Sequence, residues 1–111
     1  MSDDEFRQMM AAFSAEFCAD LPSRIESIYS LWGQIIHGEH TPQRMEELIR
    51  VLHKIAGSAA TFGFSAVGEV AAAAESRLQA NRDAPQPPDA AAQGDITQLL
   101  DRLRHAVAGQ P

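Results

Sequence analysis

The sequence predicts an all-α fold, an up-and-down bundle of five amphipathic helices. Three observations predict it. Good helix formers (Ala, Leu, Gln, Glu and Arg) are abundant. Aromatic residues make up only 6% of the chain and β-branched residues are scattered, so no stretch favours sheet. Apolar residues recur at three- and four-residue spacing in five stretches joined by short connections.

The first stretch opens on Ser2 with Glu5 three residues later, the pattern of a capping box. Phe6, Met9, Met10, Phe13 and Phe17 follow at helical spacing, which predicts a helix from about Asp3 to Ala19 with these side chains in the core. Pro22 suits the first turn of a second helix, where its missing N–H is not needed, and Leu21, Ile25, Ile28, Trp32 and Ile35 form its stripe. The junction is either a break or a kink. His37-Gly38-Glu39-His40 reads as a loop, Thr41 as the cap of a third helix with Pro42 in its first turn, and Gly63 as its end. Ser65 is the expected cap of a fourth helix striped by Val67, Val70, Ala71, Ala74 and Leu78. Residues 82–94 hold three prolines and a glycine and read as a flexible loop. Asp95 is then the expected cap of a last helix carrying Ile96, Leu99, Leu100, Leu103 and Val107.

At 111 residues the chain fits one domain, 1–111, able to bury about two-thirds of the surface of its unfolded form. Fifteen acidic against nine basic residues give a net charge of -6, which excludes the basic footprint of a nucleic-acid binder. The apolar runs are too short to span a membrane and the acidic start lacks a secretory signal's basic region, so a cytoplasmic protein is expected, and the five amphipathic stripes predict a monomeric bundle. Met1 and the acidic start favour a free-standing protein. The lone Cys18 allows no internal disulfide and reads as a small core residue.

Chemistry concentrates in Leu52-His53-Lys54-Ile55-Ala56-Gly57-Ser58-Ala59-Ala60-Thr61-Phe62-Gly63. At about 100° per residue, Leu48, Leu52, Ile55 and Ala59 share the core face, while His53 lies on another. Its neighbours one and two turns on are Ala56, Gly57 and Ala60, so the imidazole stands beside a patch nearly free of bulk. A mid-helix glycine costs roughly 1 kcal/mol against alanine, and at Gly57 it would let another protein's backbone approach the histidine. An imidazole is a good nucleophile when neutral, and its ordinary pKa of about 6.5 leaves most of it so near pH 7.

This segment resembles the histidine-phosphotransfer (HPt) family, whose motif is a histidine, two variable residues, usually lysine, glycine, a small residue, and a further glycine ten residues after the histidine. His53, Gly57, Ser58 and Gly63 match it, and the resemblance extends over most of the chain, since it implies the family's fold, an antiparallel up-and-down four-helix bundle with an additional N-terminal helix. It implies that His53 is the phosphorylated residue, that Gly57 is the point of close approach, and that the partners are a response-regulator receiver domain, a hybrid histidine kinase, or both. The chain would be a phosphocarrier without kinase activity. It shows neither a nucleotide-cradling loop nor a carboxylate cluster, so no cofactor is expected on it and Mg²⁺ is expected on the receiver. The departure is Ala56, which stands where the family's phosphoryl-positioning lysine usually is.

Arg50 is the expected substitute cation, since it projects about 60° from His53 on the Gly57 side, against about 100° for Lys54. Ala56 also keeps alive an alternative, a non-catalytic helical module that binds signalling proteins without transferring phosphate. The remaining histidines read as structural. His37 and His40 lack further ligands at metal spacing, so no metal site is expected, and His105 complements the dipole at the end of the last helix.

Overall fold

A computed structural model describes residues 2–38, 40–84 and 86–109. These form four helices, α1 (Asp3–Ile36), α2 (Pro42–Phe62), α3 (Ser65–Arg82) and α4 (Ala90–Ala108), with no strand among the described residues. Each helix packs on two neighbours: α1 on α2 and α4, α2 on α3, and α3 on α4. That ring is the expected four-helix bundle. The connections are short, and Glu39 of the first and Pro85 of the third lie outside the described residues.

The expected additional N-terminal helix is instead the first half of α1, which runs unbroken for 34 residues with Pro22 inside it. The physical reason is phase. Phe17, Leu21, Ile25, Ile28, Trp32 and Ile35 are all buried on one continuous stripe, and tertiary burial outweighs the hydrogen bond lost at Pro22, whose ring is exposed. At 1.5 Å per residue α1 is about 51 Å long, against about 31 Å for α2, so its N-terminal part projects beyond the bundle. Phe6 and Phe13 on that projection are 51% and 46% exposed, not core as expected, because no helix lies opposite them. Cys18 is half-buried rather than a core residue.

Ser2 accepts a hydrogen bond from the Glu5 amide and Thr41 one from the Arg44 amide, so both helix starts match the sequence reading. Two caps differ. Phe64 occupies the N-cap of α3 without a side-chain hydrogen bond, and Ser65 is already helical. Helix α4 begins at Ala90, capped by Asp89, whose carboxylate accepts from the Ala92 amide at 2.9 Å. The connection before it therefore ends at Asp89, and residues 90–94, expected in the loop, are helical. The Gln93 side chain donates back to the Pro88 carbonyl, which fastens this earlier start. Asp95 instead pairs with Arg77 of α3 at 2.8 Å.

The core lies along the bundle axis. Met45, Leu48, Leu52, Ile55 and Ala59 of α2 meet Val67, Ala71, Ala74 and Leu78 of α3, all fully buried, with Ile96, Leu100 and Leu103 from α4. Gly63, at φ +81°, closes α2 in the left-handed conformation, and the Phe64 amide bonds the Ala59 carbonyl at 2.8 Å. This tight reversal fixes the register of α2 against α3. Gly68 lets them approach: a Cβ there would sit 3.3 Å from the Ala59 Cβ and 3.6 Å from the Ala56 carbonyl oxygen.

Candidate functional site

Helix α2 holds His53 by its buried neighbours Leu52 and Ile55, which turn the imidazole outward. The side chain is 75% exposed. Its Nδ1 lies 2.8 Å from Oε2 of Glu75, a residue of α3 whose side chain is only 14% exposed. A carboxylate only accepts, so Nδ1–H is the donor and the lone pair resides on Nε2. Gln79, one turn along α3, donates to the same Oε2 at 3.3 Å and holds the carboxylate in place. One edge of the ring is thus held by Glu75, while the side chain as a whole stays largely exposed.

Gly57 is exposed and a Cβ there would have nothing within 4 Å, so the space beside His53 is open. Its carbonyl accepts the Thr61 hydroxyl at 3.0 Å. An open groove of about 460 Å³ runs past His53, Lys54, Gly57 and Ser58 on α2 and is bounded by Arg24 of α1. Phe62 also lines it and packs on Phe17 with the rings tilted and their centroids 5.8 Å apart.

The expected site residues thus divide. His53, Lys54, Gly57 and Ser58 share the groove. Ala56 is half-buried against the core and its carbonyl faces the Gly68 position of α3, while Ala60 is exposed on α2. Arg50 lies elsewhere, lining a separate depression with Pro42, Gln43, Glu46 and Glu47. Side chains lean toward the helix N-terminus, which carries Arg50 away from His53 and Lys54 back toward it. Glu75 and Arg24 escaped the sequence reading. Among the described residues no group of His, Cys, Asp and Glu side chains could hold a metal ion, and no helix is long and apolar enough to cross a membrane.

The described residues thus form a helical bundle that presents an exposed imidazole on an outer face, with its Nδ1 against a carboxylate. The family model of the Hpt domain matches residues 12–106, and the chain belongs to that family. Its members are phosphocarrier modules that serve histidine phosphotransfer in two-component signalling and interact with receiver domains and histidine kinases. Comparison with curated proteins and with solved structures gives no match.

Proposed function

We propose that the whole chain, 1–111, is one phosphocarrier module, with His53 the residue that accepts a phosphoryl group from a receiver-domain aspartate and passes it on. The observation that carries this reading is the ring's two-sided setting, with Nδ1–H held by Glu75 at 2.8 Å and the rest of the imidazole exposed beside Gly57. In the transfer, the Nε2 lone pair attacks phosphorus, an N–P bond forms, the P–O bond to the donor aspartate breaks, and its electron pair leaves on the carboxylate oxygen. The ring becomes positively charged with Nδ1–H retained, and the Glu75 carboxylate stabilises that charge. Reversal of the same steps delivers the phosphoryl group to a second aspartate. Chain reactivity ends there, without kinase activity.

Phosphoryl transfer needs Mg²⁺, which favours one or two carboxylates together with phosphate oxygens. Among the described residues the carboxylate at His53 is that of Glu75, already engaged with the ring, a donor set that does not fit the ion, so the receiver supplies Mg²⁺ in this account. Gly57 would admit the receiver's backbone, with Ser58, Ala56 and Ala60 forming the low surface around it. Labelling by a phosphorylated receiver should yield an acid-labile, base-stable phosphate that is absent from His53→Gln. A His53→Gln protein that still takes up label would overturn the assignment.

A further inference from the structure

The family's lysine position is occupied by Ala56, yet a phosphorylated imidazole gains up to two negative charges, and the fixed carboxylate of Glu75 already stands on the α3 side of the ring. The α1 side is different. Arg24 of α1 and Lys54 of α2 line the groove that His53 shares, and no carboxylate lines it. Neither cation forms an ion pair with a described residue, and although the same holds of Arg7, Arg50 and Arg102, none of those three lines this groove. In a chain of net charge -6 these two positive groups, without acidic partners among the described residues, line the same groove as the histidine.

We infer that Arg24, reaching across from α1, acts with Lys54 as the cationic seat for the phosphoryl group on His53, taking the part of the absent lysine from the opposite side of the ring. The inference rests on the phosphocarrier reading above. It makes Arg24 a binding residue for a phosphoryl oxygen, suited to the task because its planar guanidinium offers paired N–H donors. Glu75 on α3 then holds Nδ1–H while Arg24 on α1 and Lys54 on α2 receive the phosphoryl oxygens, so opposite charges bracket the modified ring. Ser58, also in the groove, has a hydroxyl able to donate to the same group.

The test needs no partner protein. Phosphoramidate can charge His53 chemically: the N–P bond to His53 forms as that to the leaving ammonia breaks. A ³¹P NMR titration of the charged protein then reads the second ionisation of the phosphoryl group, which nearby cations lower. Arg24→Gln should raise that ionisation by about half a pH unit, the scale of an exposed pair, and the double variant with Lys54→Gln should raise it further. Arg24→Lys should recover part of the shift. Arg50→Gln should leave the titration unchanged. A double variant that titrates like the wild type, or an Arg50→Gln shift as large as that of Arg24→Gln, would overturn the inference while leaving the phosphocarrier reading intact. Failure of the wild-type protein to take a phosphoryl group on His53 would instead remove that reading, and the inference with it.

Discussion

Replacing Glu75 separates the two tasks its carboxylate performs. Glu75→Gln keeps an oxygen acceptor for Nδ1–H but removes the negative charge, whereas Glu75→Ala removes both. With Nδ1 and Oε2 at 2.8 Å, the charge centres are about 4 Å apart, where a full pair is worth about 1 kcal/mol in bulk water and about 4 kcal/mol near a protein surface. His53 is largely exposed, which places the pair close to the lower figure. Only part of the ring's charge has developed in a loose phosphoryl-transfer transition state, so the loss is about 0.5 kcal/mol, or roughly twofold in rate. Glu75→Ala also frees the tautomer and gives up a charge-assisted hydrogen bond, which brings the expected slowing to about ten- to thirtyfold. Rapid-quench measurement of phosphoryl uptake from a phosphorylated receiver, with folding checked by circular dichroism, reads both. Wild-type rates in both variants would refute a role for Glu75 in setting the nucleophile.

Three further outcomes follow from the same packing. Gly57→Leu should hold or raise the melting temperature, by up to about 4 °C from the helix propensity gained, because the new side chain starts in open space, yet it should block transfer from a receiver. Unimpaired transfer in the folded variant would show that the partner docks elsewhere. Gly68→Val should destabilise the protein by about 1–3 kcal/mol in urea melts, since even a Cβ would stand 3.3 Å from that of the buried Ala59; a neutral result would mean that α2 and α3 can separate freely. Burial, then the hydrogen bond to and charge of Asp101, push the Tyr29 hydroxyl up to about 12 from 10. Because the folded state holds this proton more tightly than the unfolded one, the contribution is complete below pH 10 and is lost as pH rises through 12. Urea melts between these values should therefore fall more steeply for the wild type than for Tyr29→Phe, and parallel slopes would contradict the assignment.

The helical stripes were legible in the sequence because burial follows the 3.6-residue period: every residue expected on the core face of α2, from Leu48 to Ala59, is buried. Local signals competed less well with tertiary packing. Pro22 looked like a boundary, but the stripe continues in phase across it, and Asp95 looked like a cap while Asp89 lay closer to the end of the proline-rich segment. Phe6 and Phe13 show the converse, since spacing reports a face but not whether another helix stands opposite.

At the site, His53 and the openness at Gly57 could be read from one helix, whereas Glu75 and Arg24 required two. Both were within reach of a simple construction. Folding α2 and α3 antiparallel about Phe64 sets His53 opposite Glu75, 22 residues on. The turn between α1 and α2 likewise sets Lys54 opposite Arg24, in the register that joins Gln34 to Arg44 by a 2.9 Å hydrogen bond. Helical projection of a single element omits such neighbours.

The most direct test of the central claim is to mix the protein with a receiver domain carrying an aspartyl phosphate and follow the ³¹P spectrum. The account predicts that the aspartyl phosphate signal falls as a phosphoramidate signal grows on Nε2 of His53, with Nδ1–H retained, and that His53→Gln abolishes the new signal. Decay of the aspartyl phosphate to inorganic phosphate at the receiver's own rate, with no phosphohistidine formed, would contradict it.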